Sequence, residues 1–338
     1  MGIKSLTFLI KNKGSPNCIE TKKLYELSGK RVAIDASLFI YQSLINIRKD
    51  GEPCQNSHGK TTSHLLGIFY KTVNLLSLDI EPIYIFDGKP PEEKRDIIDQ
   101  RKKIANESRA KLETETDVDK IESLKKKTVR LTYEIVDDIK QLLDLMGVSY
   151  IHMDGEAEGL ASELCRIGYV DYIMTEDMDS LVFGTPYLIR KCVDRSVKIK
   201  DSISVFNLDE ILRSFDITYD QFVELCILCG CDYCPSINKI GSITAYKLVK
   251  THGCVENFLH HNRAFPKYEV PDDYWSKFQT SKLLFGLFRD KLSVDTLEVH
   301  QSELDFEKLQ EYLETTVELS PAKVTTYLEK IKQKYIVE

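Results

Sequence analysis

Long apolar runs are missing from this chain. None of its 338 residues falls in a stretch of about 18 consecutive apolar residues, so a membrane-spanning helix is not expected. A cleavable leader is not expected either, because MGIKSLTFLIKNKG is too short and too soon charged for a secretion signal. Leu6 stands where a myristoylation signal would need Ser or Thr, so Gly2 is not expected to carry a lipid. Nine cysteines, an odd count without a secretion signal, predict free thiols rather than a disulfide framework. The protein is therefore expected to be soluble and intracellular. There is no excess of positive charge: 46 Lys and Arg against 53 Asp and Glu leave −7 at pH 7, an unpromising total for a partner of nucleic acid. Neither an internal repeat nor a low-complexity tail is found.

The total hides a pattern, because basic residues cluster between 89 and 130 while acids gather elsewhere. Three apolar runs each end on a carboxylate: RVAIDAS at Asp35, EPIYIFDGKPP at Asp87, and DYIMTEDMDSLVFG at Asp177 and Asp179. Short β-branched and aromatic runs of this kind predict buried parallel strands. In an open α/β sheet, ligands sit outside the carboxyl ends of the strands, so these acids are expected to face one crevice. The length suits one large α/β domain with appendages, or two domains.

The chain opens with a short helical pattern and a turn at Ser28 and Gly29. After the strand Arg31 to Asp35, a helix is read from Ser37 through Ile47, with Leu38, Ile40, Tyr41, Leu44 and Ile45 on a helical period. A polar loop leads to a second helix near Thr61 or Thr62, either able to cap it, and the next strand is Ile83 to Phe86. After Pro90 and Pro91 nearly every residue of 92–134 is a charged helix former. That is a solvated helical excursion, and because it leaves from Asp87 it is expected to stand over the crevice. Further strands are read in VSYIHM, DYIMTED, YLIRKC and VKIK, with a helix in EAEGLASELCRIG and a helical region opening at VFNLDEILRSF. Two helices, TYDQFVELCILCG and SITAYKLVKTHG, flank the turn CDYCPSINKIG. Amphipathic helices follow, with Val324, Tyr327, Leu328 and Ile331 on one stripe.

Glu156 and Glu158 at a helix start, and Asp232 in the turn, extend the acid set. Asp177 and Asp179 share one face if the strand continues through them. Glu156 and Glu158 are about 200° apart on a helix, so they can share a site only at its entry. Any one of these acids alone reads as a cap or a surface charge; their joint placement points to a metal. Oxygen-only donors suit Mg²⁺ or Mn²⁺ rather than Zn²⁺. Two such ions about 4 Å apart can activate a water and stabilise the entering and leaving oxygens at phosphorus, so a phosphodiesterase or phosphatase crevice is expected. Cys226, Cys229, Cys231 and Cys234 are read as buried free thiols, since the first two fall inside an apolar helix.

Taken together, MGIKSL, VAIDAS, TTSHLLGIFY, IFDGKPP, EAE, TEDMD and LCILCGCDYC resemble the flap endonucleases, structure-specific 5′ nucleases of the XPG/Rad2 superfamily, from Met1 to about Lys332. The resemblance implies an α/β fold: a PIN-like, mostly parallel sheet flanked by helices, with a helical arch and a helix–two-turn–helix. It divides the chain into an N-terminal nuclease region at 1–105 with the arch at about 92–134, and an internal nuclease region at 140–216. A duplex-binding region at 217–260 and a closing helical segment at 261–338 follow. It also implies that Asp87, Asp35, Glu156 and Glu158 mainly hold one Mg²⁺ and Asp177, Asp179 and Asp232 a second. Lys94 and Arg101 would be the catalytic basic pair, and their spacing of about two turns places them on one helix face. Tyr41 would stack on the base beside the cut. Arg48 and Lys71 would touch phosphates, Gln55 and Thr62 a pocket for the 3′ flap. Ser236, Ile237 and Ile240 would hold a K⁺ ion through backbone or hydroxyl oxygens, and with Gly241 this hairpin would grip duplex phosphates.

The partner so implied is branched double-stranded DNA with a 5′ flap, cut one nucleotide into the duplex to leave a 5′-phosphate and a 3′-hydroxyl. Exonuclease action on nicks or gaps, in replication, repair or recombination, comes with it. The sequence also departs from the family. Ser57, His58 and Lys60 replace its glutamates near the 3′ pocket, which puts strictness for a one-nucleotide 3′ flap in question. INKIGSITA lacks the Pro-Lys-Arg after the glycine, which should flatten the salt dependence of duplex binding. No sliding-clamp peptide is recognisable, since Glu307 and Lys308 hold its aromatic places, and no nuclear-import tail is read. A monomer is expected, with the nucleus implied by resemblance and the cytoplasm open. The rival readings are a junction resolvase or 5′ exonuclease of the same superfamily, a PIN-type ribonuclease, and a non-catalytic DNA-binding scaffold.

Overall fold

The computed structural model describes residues 2–49, 51–153, 155–193, 201–287, 289 and 297–336. They fall into two compact units, one built from Met1–Glu26 and Glu156–Leu297, the other from Leu27–Gly155 and Glu298–Glu338.

In the second unit three strands, Arg31–Asp35, Glu81–Phe86 and Tyr150–His152, lie parallel in that order, with Asp35 opposite Ile85 and Phe86 opposite His152. Nearly every residue of the first two is buried, as a parallel strand covered on both faces requires. Helices Ala36–Asn46 and Ser63–Ser77 pack on the strand Glu81–Phe86, and Tyr133–Leu145 packs on the second of these helices. Phe69 and Tyr84 are fully buried, and each large apolar side chain so placed contributes roughly 1.5–3 kcal/mol. The Tyr84 hydroxyl is satisfied by Thr72 Oγ1 at 2.8 Å. The chain returns through helices Phe306–Thr315 and Pro321–Ile336. Tyr327 meets Phe69 and Tyr70 with ring centroids 5.6 and 5.1 Å apart, while Val324, Leu328 and Ile331 are buried.

The charged excursion belongs to this unit. It begins with a 3-10 turn, Glu92–Lys94, followed by helices Arg95–Leu112 and Val118–Thr128. Of its described side chains only Ala105 and Ser108 are buried. Arg130 donates to Asn106 Oδ1 at 3.0 Å, and Lys125 pairs with Glu52.

In the first unit the strand order is Ile19–Lys23, Ser202–Asn207, Tyr187–Lys191 and Tyr172–Met174. The first two pairings are antiparallel and the last is parallel. The strand Ile19–Lys23 was not expected: its residues are mostly polar, and it exists through pairing with a neighbour rather than through its own pattern. The helical reading that opened at Val205 is corrected, because Val205 to Asn207 finish a strand and the helix is Leu208–Phe215, capped by Asn207 at Glu210 N–H, 3.2 Å. The strand read in VKIK, Val197 to Lys200, lies outside the described residues. Helix Tyr219–Cys229 begins with a capping box between Thr218 and Gln221. Its apolar residues join Leu6, Leu9, Ile10, Phe206 and Phe215 in one core. Among the described residues no helix is long and apolar enough to cross a membrane.

Candidate active site

In the second unit Asp35 ends its strand and also caps the next helix. Its backbone is extended (φ −63°, ψ 101°) and Oδ1 accepts the Leu38 N–H at 2.9 Å. Asp87 follows Phe86, so the two acids stand at the carboxyl ends of neighbouring parallel strands. Gly88 N–H donates to Gly155 O at 3.0 Å, which ties the chain beyond Asp87 to the chain before Glu156. Asp35 is buried and Asp87 exposed. Lys94 ends the 3-10 turn and, with right-handed helical backbone (φ −83°, ψ −4°), is the N-cap residue of the helix that carries Arg101.

Tyr41 is half-buried on Ala36–Asn46. The Arg48 guanidinium is turned onto backbone, to Ile45 O at 2.9 Å and Gly51 O at 3.0 Å. Lys71 Nζ stands 3.6 Å from the centre of the Phe39 ring, a cation–π contact. Gln55 is exposed and Thr62 buried at the two ends of a loop closed by a bridge between Gln55 and Thr61. Below this loop Asp138 accepts Lys60 Nζ at 2.6 Å and meets His64 Nε2 at 3.2 Å. Burial holds His64 below its ordinary pKa, with the Asp138 carboxylate pulling the other way. Burial raises the neighbouring Tyr312 phenol, and Asp138 adds to that.

The first unit holds the other five acids. The strand Tyr172–Met174 stops before them, which corrects the expectation that Asp177 and Asp179 share a strand face. Asp177 N–H donates to Thr175 Oγ1 at 3.1 Å, Asp177 Oδ1 accepts the Asp179 N–H at 3.1 Å, and Asp179 opens the short helix Asp179–Val182. A turn into a helix offers carboxylates backbone N–H groups that a paired strand has already spent. Both acids are buried and both reach Gly2: a Cβ there would lie 2.0 Å from Asp177 Oδ1 and 2.3 Å from Asp179 Oδ1. With φ +79° as well, only glycine fits. Lys4 N–H holds this N-terminal segment to Gly230 O at 3.3 Å. Gly2 is a site residue that the sequence does not single out: the Met-Gly start figures there only in the lipid signal and within the motif MGIKSL.

Glu156 sits at the N-cap of Ala157–Arg166 with extended backbone (φ −87°, ψ 124°), and Glu158 lies in the first turn. The Tyr233 hydroxyl donates to Glu156 Oε2, and its neighbour Asp232 is half-buried in the hairpin. Asp179 and Asp232 both act on the Cys231 thiol, which burial, then Asp179, push up to about 12. Burial raises Cys229 and Cys234 likewise to about 12 and Cys226 well above its usual value, so all four are protonated thiols near neutral pH. In the hairpin Ile237 and Ile240 are buried and Ser236 is half-exposed. Ile240 N–H donates to Ile237 O at 3.0 Å. Gly241 caps Ser242–His252 with ordinary extended backbone, and a Cβ there would meet nothing within 4 Å. Gly241 supplies no side-chain cap to this helix N-terminus.

Among the described residues no three His, Cys, Asp or Glu side chains form a compact metal cage. What the first unit brings together is the buried pair Asp177 and Asp179, in a setting that suits a hard divalent cation: oxygen donors, like charges, and thiols that stay protonated.

The XPG N-terminal domain matches residues 1–108 and the XPG I-region residues 147–232. Flap endonuclease 1-A of Sorghum bicolor is 39% identical over 337 residues, covering 98% of this chain and 87% of its own. The structure of flap endonuclease-1 from Methanococcus jannaschii superposes with a TM-score of 0.68 at 29% identity, over 94% of this chain and 97% of that one. The catalytic core of Rad2 in complex with DNA substrate gives 0.72 at 22% identity, over 98% and 100%, a likeness of fold.

Proposed function

This chain belongs to the flap endonuclease family of XPG nucleases, and we propose that it is a Mg²⁺-dependent enzyme that cuts branched DNA at the base of a 5′ flap. The observation that carries this reading is the buried pair Asp177 and Asp179 converging on Gly2, at the end of a strand in a family of DNA nucleases. Asp35, Asp87, Glu156 and Glu158 would hold mainly one divalent ion and Asp177, Asp179 and Asp232 the other, with Mn²⁺ able to substitute. When bound, such ions supply an acidified water and neutralise charge at the scissile phosphate. Tyr233 keeps the Glu156 carboxylate an acceptor in one orientation. Lys94 and Arg101 would draw the phosphate toward the acids and stabilise its developing charge.

Tyr41 would stack on the base beside the cut, a contact indifferent to sequence. Arg48 and Lys71 would reach phosphates only by leaving the backbone carbonyls and the Phe39 ring that now hold them. Gln55 and Thr62 would border the 3′ flap. The helix N-terminus at Gly241, with K⁺ at Ser236, Ile237 and Ile240, would grip the downstream duplex. In this reading 1–105 and 140–216 do the chemistry, 92–134 guides the single strand, 217–260 holds duplex, and 261–338 closes the fold. The protein would act as a monomer, without a clamp peptide, where branched DNA arises in replication, repair or recombination, in the nucleus by family resemblance.

The test is cleavage of a double-flap DNA carrying a one-nucleotide 3′ flap, with Mg²⁺ or with chelator. A single cut at the 5′ flap junction is expected with Mg²⁺ only. Asp179→Ala should abolish cutting while leaving DNA affinity, measured in Ca²⁺, nearly unchanged; comparable turnover by that variant would sink the metal assignment.

A further inference from the structure

The loop between Gln55 and Thr62 is a tight turn. Asn56 N–H donates to Lys60 O at 3.0 Å, Asn56 Oδ1 accepts the N–H groups of His58 and Lys60, and Gly59 takes φ +76°. Those bonds shape the turn, and Asp138 anchors it at Lys60. Its tip is held by residues far along the chain. Glu318 accepts both the Ser57 N–H, at 2.8 Å, and the Ser57 hydroxyl, while Asn56 Nδ2 donates to Thr316 O at 3.0 Å. Glu318 follows the helix Phe306–Thr315 with φ +58°, a left-handed conformation that disfavours any residue with a Cβ. At a helix end this place ordinarily falls to glycine or asparagine. Here it carries a glutamate, and the strained backbone directs its carboxylate onto the loop. The Ser57 donors hold that carboxyl below its usual pKa, so it stays charged beside the turn.

We propose that Glu318 is a positioning residue that sets 3′-flap specificity: by clasping Ser57 it fixes the turn between Gln55 and Thr62 and presents a carboxylate there that repels a further phosphate. The proposal rests on the flap-endonuclease reading above. It requires only the second unit, where every residue of the clasp lies.

The experiment compares three DNAs: a 5′ flap with no 3′ flap, one with a one-nucleotide 3′ flap, and one with a longer 3′ flap. Wild type should prefer the second over the third. Glu318→Ala should cut that preference about three- to tenfold, the worth of one or two solvent-facing hydrogen bonds. The change should come through KM, with kcat and the rate on the substrate lacking a 3′ flap unchanged. Glu318→Gln, which keeps the acceptor, should restore turn position and recover part of the preference. Glu318→Gly should lose the preference with an unchanged or higher Tm, because glycine adopts φ +58° freely. Ser57→Ala repeats the test if a Glu318 variant folds poorly. An unchanged preference in Glu318→Ala and Ser57→Ala, or an equal loss on all three DNAs, overturns the proposal. Wild-type protein that cuts all three alike overturns it and leaves the nuclease standing, whereas wild-type protein that cuts none overturns the flap reading itself.

Discussion

Asp35 carries two duties that substitution can separate. Its Oδ1 caps the helix Ala36–Asn46, and its charge belongs to the acid set at the strand ends. Asn is as good a cap as Asp, so Asp35→Asn should leave Tm nearly unchanged while cleavage falls by orders of magnitude, whereas Asp35→Ala should lose roughly 0.5–2 kcal/mol of stability as well. Thermal melts beside single-turnover rates decide it; if Asp35→Asn cleaves at the wild-type rate, the acid is only a cap. Asp35 and Asp87 could be placed from sequence because each ends a short apolar run whose strand stops nearby. The setting of Asp177 and Asp179 could not, since nothing in TEDMD says that the strand ends at Met174 and a helix begins at Asp179. Gly2 was out of reach for a different reason: its need to be glycine arises from two oxygens more than a hundred and seventy residues away.

At the scale of elements, the buried polar joint at Asp138 connects three helices and a loop: its own helix Tyr133–Leu145, His64 on Ser63–Ser77, Tyr312 on Phe306–Thr315, and Lys60. Burial lowers the His64 pKa in the folded state, opposed by Asp138 and assisted by Lys60. As pH falls, the unfolded chain therefore takes up the proton first. Stability from this group is complete above the unfolded His value of about 6.5 and is lost as pH falls through the lower folded value. The fall in Tm between pH 7.5 and pH 5 should be smaller in His64→Gln than in wild type; an equal fall would show that His64 does not drive it. No signal for this joint exists locally, because its members come from three stretches of chain far apart in sequence. Helices with strong patterns were legible, Tyr219–Cys229 and Ser242–His252 among them, whereas the strand Ile19–Lys23 was not, being polar and defined by its partner.

For the molecule as a whole, a net charge of −7 makes the attraction to DNA local. The hairpin before Gly241 offers Lys239, exposed and at φ +66°, and Ser242, Ile243 and Thr244 after the glycine add no cation. If that hairpin holds duplex phosphates, Lys239→Gln should reduce the slope of log Kd against log salt by about 0.9. An unchanged slope would remove the hairpin from the duplex-binding surface.

The interleaving of the two units also bears on how the protein is made. Residues Met1–Glu26 leave the ribosome well before their partners, which begin at Glu156, and the whole run Leu27–Gly155 is synthesised in between. That run in turn waits for Glu298–Glu338. At 5–20 residues per second the first segment stays unpartnered for on the order of ten seconds, with Leu6, Leu9 and Ile10, later fully buried, open to other chains. Until Glu156 and the residues after it emerge, these side chains are a surface that chaperones would have to shield.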